Sequence, residues 1–195
     1  MYITCKGLTY AKVSGGGAGS AVTYSGGKVL ENLIAKVDLN FQYAEGQDYA
    51  DGVRIAKKKK MTGVSTAFEL ADLPSDVKKD WLNWQTATND LIIDESDPNW
   101  VGVGFYIWNE TPVSEADNWI CYWIYKQRYT VDGISVSTSN DSIAYQHQNI
   151  SGDGVGVQLS SGGKMSFVKT NDAPLATEAA AIAWLKAEAG ITGNG

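Results

Sequence analysis

The amino-acid sequence predicts a mainly β fold, a β-sandwich or barrel with two short flanking helices, folded as a single domain over residues 1–195. Three observations carry that reading. Residues 100–130 hold two runs of aromatic and β-branched side chains, which suit a pleated surface better than a helix. Residues 33–43 alternate apolar and polar with a period of two, the mark of a half-buried strand. Helix-start signals stand out near Ser75 and Thr177, each ahead of a short amphipathic stretch.

Taken in order, residues 1–13 read as a short strand, and the four glycines of 14–20 as a loop. Gly26-Gly27 marks a turn. In 33–43, Leu33, Ala35, Val37, Leu39, Phe41 and Tyr43 share one face, and Lys36, Asp38, Asn40 and Gln42 share the other, wet one. Residues 44–62 contain Tyr49-Ala50-Asp51-Gly52 and Lys57-Lys58-Lys59-Lys60 and read as a long loop. A lysine run is ordinarily a solvated loop or a protected strand edge; its functional alternative is a contact for an acidic surface or for phosphates. Alternation returns at 64–70, with Val64, Thr66, Phe68 and Leu70 against Ser65, Ala67 and Glu69. Ser75 is the expected N-cap of a helix over 76–85 whose face carries Val77, Trp81, Leu82 and Trp84.

Both faces of the central strand pair are apolar. Val101, Val103, Phe105 and Ile107 oppose Trp100, Gly102, Gly104, Tyr106 and Trp108 on its first strand. Ile120, Tyr122 and Ile124 oppose Trp119, Cys121, Trp123 and Tyr125 on its second. An antiparallel sheet in a small monomer commonly keeps one face in water, so this pair needs a second cover: a helix of the same chain or a neighbouring copy. The two expected helices are short, which favours the copy and makes Trp100, Tyr106, Trp108, Trp119, Trp123 and Tyr125 candidate subunit-interface residues. Beyond the pair, Asp132-Gly133 makes a turn, 134–138 and 142–150 are strand-like, 152–156 turns again, and 157–160 and 164–170 are short strands. The closing helix over 178–189, capped by Thr177 and ended by Gly190, must dock on the sheet to be stable.

Chemistry is sparse. The net charge of −6 argues against a dedicated nucleic-acid binder, which carries a basic stripe. No apolar run approaches the ~20 residues that span a bilayer, and no basic-then-apolar leader is visible, so synthesis in the cytosol is expected. Cys5 and Cys121 read as two buried thiols, with a disulfide as the alternative. The lone His147 adjoins no nucleophile motif, and no zinc spacing, phosphate loop or nucleophile elbow occurs. Asp94, Glu95 and Asp97 read as a solvated loop rather than a glycosidase pair, and Asp51-Gly52 and Asp153-Gly154 as turns rather than calcium loops. The expectation is a non-enzyme with no catalytic residue, no metal and no cofactor.

The order of features resembles the major tail proteins of long-tailed bacteriophages, in the family typified by a staphylococcal phage. The matching pieces are Gly7-Leu8-Thr9-Tyr10-Ala11, Tyr49-Ala50-Asp51-Gly52 and Leu70-Ala71-Asp72-Leu73 ahead of a helix. They continue with Val101-Gly102-Val103-Gly104-Phe105-Tyr106, then Trp119-Ile120-Cys121-Tyr122-Trp123-Ile124-Tyr125-Lys126, and Ala183-Trp184-Leu185 in the last helix. The resemblance implies a virion protein that self-assembles into hexameric rings stacked as a hollow tail tube, the conduit for genome ejection. The implied partners are further copies of the chain, a tape-measure protein and a tail terminator, with DNA passing transiently through the lumen and no membrane contact. The implied locations are the virion tail and, during assembly, the host cytoplasm. In such a tube the 44–62 loop orders only on assembly, which makes Tyr49, Asp51, Lys57, Lys58, Lys59 and Lys60 assembly-loop candidates. The lysine run itself departs from the family pattern. Lys36, Asp38, Asn40, Gln42, Ser65 and Glu69 are lumen-facing candidates, since a polar lining without a strong positive field lets DNA slide. A second reading is a carbohydrate-binding β-sandwich that stacks sugars on Trp100, Trp108, Trp119 or Trp123.

Overall fold

A computed structural model of the chain describes residues 2–50, 53–88, 90–110, 117–131, 133 and 147–192. The sheet begins with β1 (Tyr2–Gly15), β2 (Thr23–Leu30), β3 (Ile34–Ala50) and β4 (Val53–Leu70). Helix α1 (Ser75–Leu82) and a small hairpin, β5 (Gln85–Ala87) and β6 (Asp90–Ile92), lead to the central pair β7 (Val101–Glu110) and β8 (Asp117–Thr130). β9 (Gln148–Gly154), β10 (Val157–Gln158), β11 (Met165–Ser166), β12 (Val168–Thr170) and helix α2 (Glu178–Glu188) complete the chain. The expected strand over 134–138, the start of the one over 142–150, and Asp51 and Asp132 lie outside the described residues.

The main sheet is antiparallel throughout, in the order β2-β1-β7-β8-β9-β4-β3. β8 is long enough to hold two partners on one edge: β12 pairs with Tyr122–Ile124 and β9 with Gln127–Thr130. The outermost strands, β2 and β3, are consecutive in sequence and separated by residues 31–33 alone. The sheet must therefore coil until its two edges meet at that end, and a sandwich-like body results. Asn32 makes the tight crossing at φ 58°, a left-handed conformation that Asn tolerates better than most residues.

Two clusters of side chains pack against opposite sides of β7–β8. Inside the coil, Leu8, Tyr10, Val64, Phe68, Leu70, Val101, Val103, Phe105 and Ile124 form the larger core, and α1 plugs one end with Val77, Trp81 and Leu82. Outside it, Tyr106, Trp119, Cys121 and Trp123 pack beneath Ala181 and Leu185 of α2 and Ala189 at its C-cap. The face assignment read from the alternation holds through Tyr125. The expected cover by a copy does not: the chain's own helix lies over these rings. Eleven residues suffice because the contact is close, with alanines on the helix and Gly104 on the sheet. A Cβ at Gly104 would stand 2.6 Å from both Leu185 Cδ2 and Trp123 Cε3. Thr177 caps this helix by accepting from the Ala180 N–H at 3.2 Å, and Gly190 at φ 69° ends it, as the sequence indicates.

Four expectations are corrected. Gly26-Gly27 is not a turn but a bulge inside β2, Gly26 at φ 63°, with the end of α2 passing over Gly27. Residues 44–62 are not a loop: β3 and β4 stay paired out to Ala50 and Val53. Residues 152–154 belong to β9, where Gly152 leaves room for the Tyr129 ring and Gly154 for Val64 and Gln127. Ser75 is the first helical residue rather than the cap; Pro74 holds the cap position, and the helix stops at Leu82 because Asn83 turns left-handed at φ 56°.

A second bulge matters for function. Val103 pairs with Ile124 but Val101 with Gln127, so β8 gains a residue and changes phase. Gln127 and Tyr129 turn inward, where the Gln127 carbonyl accepts from both Thr66 (2.7 Å) and Tyr129. Lys126 and Arg128 turn outward, and both lie over the Trp100 ring, at 4.8 and 4.4 Å from its centre.

The plug is tied to the sheet through Asp80. Tyr10 Oη donates to Asp80 Oδ2 at 2.8 Å, and Lys12 and Lys28 approach at 3.2 and 3.3 Å. Burial pushes this carboxyl up, but the hydrogen bonds from Tyr10, Lys12 and Lys28 outweigh it and leave the group below its ordinary value. A carboxyl lowered on folding stabilises above its unfolded pKa of about 3.9, and that stability fades as pH falls through the folded value. Asp80→Asn is expected to cost about 1–2 kcal/mol at neutral pH, with the gap to wild type narrowing below about pH 4. Urea titrations at several pH values measure it.

Candidate functional site

One broad surface of the sheet carries no helix. It is the outer side of β3, β4 and β9 with the last turn-out of β8, and the register lays polar side chains across it in rows. Lys36 stands beside Glu69 and Asn149; Asp38 beside Ala67, Ser151 and Thr130; Asn40 beside Ser65, Asp153 and Arg128. All six lumen candidates named from the sequence fall on this surface, Gln42 at its edge opposite Gly63. A shallow hollow of about 350 Å³ lies at its centre among Asn40, Ser65, Arg128, Ser151 and Asp153.

Charge on this face is largely paired. Lys36 Nζ lies 2.7 Å from Asp38 Oδ2, which holds the amine above its usual range. His147 Nδ1 meets Glu69 Oε1 at 2.8 Å, and Arg128 reaches Asp97 at 3.6 Å. Arg128, Thr130, Asn149, Ser151 and Asp153 escaped the sequence reading. The alternation of Asn149, Ser151 and Asp153 was a usable signal, but the phase change that turns Arg128 outward depends on a bulge with no turn residue to announce it.

Beyond Gly63 the β3–β4 hairpin leaves the body, since β9 accompanies β4 only from Val64 to Leu70. The free part, residues 44–50 with 53–60, extends about 24 Å at ~3.4 Å per residue. Its side chains from Phe41 to Asp48 and from Lys57 to Lys60 are exposed. Lys57 and Lys59 grip Glu45 at 3.1 and 3.3 Å, drawing its carboxyl below the ordinary value, and Lys59 also lies over Tyr43. Lys58 and Lys60 project from the opposite face with no ion-pair partner among the described residues. Tyr49 sits near the tip, its backbone paired with Arg54. A two-stranded ribbon is marginal alone in water, so this arm gains from a surface to lie on.

The aromatic interface candidates are placed differently. Tyr106, Trp119 and Trp123 are buried beside α2 and offer almost no surface to a second molecule. Tyr106 Oη donates to Glu178 at 2.6 Å, and Trp123 Nε1 donates to Tyr24 Oη at 3.0 Å. Trp108 and Tyr125 are half-buried at the rim of the same cluster, and Trp100 is half-buried beneath its two cations. The same burial removes Trp119 and Trp123 from any sugar-stacking platform.

Cys5 packs against the inner core and Cys121 lies under α2, on opposite sides of the sheet, and both are free thiols. Burial pushes each up to about 12, so neither is a thiolate at neutral pH. A scan against protein-family models and a search of curated proteins return no match for this chain, and the functional reading rests on the surfaces described above.

Proposed function

We propose that this chain is a structural subunit that assembles with its own copies into stacked rings, the wall of a hollow tube of the phage-tail kind. The observation that carries the reading is the uncovered face of β3, β4, β9 and β8: broad, polar and nearly charge-balanced. Turned inward in a ring, such a face stays hydrated, and DNA phosphates find no run of free cations to hold them, because phosphate affinity comes mainly from Lys and Arg. The projecting arm suits the same design, reaching past its own body to a neighbour, as a ribbon stabilised only by added contacts does. The order of sequence features resembles that of tail-tube proteins and points the same way, and that resemblance implies a tape-measure protein, a terminator and passing DNA as partners.

The test is direct. Negative-stain microscopy and sedimentation of the concentrated full chain are expected to show rings or tubes with an open centre. A chain that remains monomeric at every concentration and salt condition overturns the proposal.

A further inference from the structure

The large hydrophobic side chains that remain exposed are Phe41 (46%), Tyr43 (51%), Ile92 (47%), Ile93 (64%), Val155 (42%) and Met165 (52%) among the described residues. Apart from Tyr43 and Val155 they fall into two patches. One is a groove at the base of the arm, where two adjoining hollows of about 480 and 360 Å³ share Met61, Met165 and Phe167 as walls. Phe41 lines one end of it, and Lys60 and Lys164 stand on its rim, both exposed and without an ion-pair partner among the described residues. The other patch is a knob, Ile92-Ile93, followed directly by Asp94 and Glu95. The knob is held firmly: Asp94 accepts from the Ser96 N–H at 2.9 Å, and Asn83 donates to the Asp97 carbonyl at 3.2 Å.

These patches lie at opposite ends of the body. The groove opens at Met61 of β4 and Tyr122 of β8, whereas α1 plugs the core at Phe68 and Tyr129, seven residues further along each strand. Seven residues of strand span about 23 Å. The knob belongs to the plugged end, since the segment after it returns to α1 through Asn99 N–H and the Trp81 carbonyl at 3.0 Å. One copy therefore cannot close its knob into its own groove.

We infer that the Ile92-Ile93 knob of one copy seats in the Met61, Met165 and Phe167 groove of the next, with Asp94 and Glu95 meeting Lys60 and Lys164. This rests on the proposed self-assembly and names the surfaces that make it. The match is chemical on both counts: apolar knob to apolar floor, acidic flank to basic rim. Because the two surfaces differ, the contact is head-to-tail, the kind that generates rings or filaments rather than closed dimers.

The experiment uses two full-length variants, Ile93→Asp, which spoils only the knob, and Met165→Asp, which spoils only the groove. Both positions are exposed, so circular dichroism and thermal melts should match wild type. Each variant alone is expected to sediment as a monomer where wild type assembles. Mixed one to one, the intact knob of one variant meets the intact groove of the other and yields a heterodimer that grows no further. A mixture that stays monomeric, or variants that assemble like wild type, overturns this contact while leaving self-assembly standing. A wild type that never assembles overturns both. As an independent readout, the double variant Ile93→Cys with Met165→Cys should give a ladder of disulfide-linked oligomers on oxidation; an assembled sample without a ladder counts against the pairing.

Discussion

Trp81→Ala is expected to remove about 3–5 kcal/mol, the range for deleting a buried large aromatic side chain. The indole is wholly buried and reaches Tyr129, Tyr10 and Phe68, at 4.3, 5.5 and 6.2 Å between ring centres. Its loss empties the middle of the plug and strands α1, whose eight residues cannot hold a helix alone. For a chain of this size the midpoint should fall by roughly 10 °C. Trp81→Phe is the informative control. The indole N–H has no hydrogen-bond partner among the described residues, so phenylalanine forfeits packing volume but no polar contact, and should cost less than half as much. Equal losses for the two variants would mean that a phenyl ring recovers none of the packing of the indole.

The second large effect is expected at α2. Leu185→Ala should cost about 2–4 kcal/mol, and the helix should come away as a unit, because an eleven-residue helix without its anchor is marginal. Release exposes Tyr106, Trp119 and Trp123 together. The signature is therefore specific: a red shift in tryptophan emission, a loss of helical ellipticity, and dye binding to an apolar surface, while the β signal persists. Gly104→Val should reproduce it from the other side, since a side chain there collides with Leu185 and Trp123. Unchanged emission in both variants would show that α2 is not what keeps these rings dry.

The sequence made the central strands, their two apolar faces and both helices legible because each has a buried side that imposes a period. Val64, Thr66, Phe68 and Leu70 alternate in the text and are buried in the fold. The arm was not legible for the converse reason. Side chains 44–48 and 57–60 are solvent-exposed on both faces, so no apolar period marks them as strand, and only cross-strand pairs such as Glu45 with Lys59 reveal it. The polar face was half legible: β3 and β4 supplied it directly, whereas Arg128 joined through a bulge. Of the six aromatic interface candidates, Tyr106, Trp119 and Trp123 are interior, because the alanines of α2 and Gly104 let a short helix sit close over them. Ile92 and Ile93 belong to no periodic stretch, so alternation leaves them unassigned, although two adjacent isoleucines beside carboxylates are themselves a signal.

The strand order β2-β1-β7-β8-β9-β4-β3 also sets a hazard during synthesis. The ribosome finishes two separate hairpins, β1–β2 and β3–β4, before it makes the strands that unite them. Until residues 101–154 emerge, β1 and β4 each offer an open hydrogen-bonding edge to any nascent sister chain, for an interval on the order of seconds. Lys58 and Lys60 stand just ahead of the part of β4 that β9 later covers, and charged side chains at such an open edge disfavour pairing with a second chain.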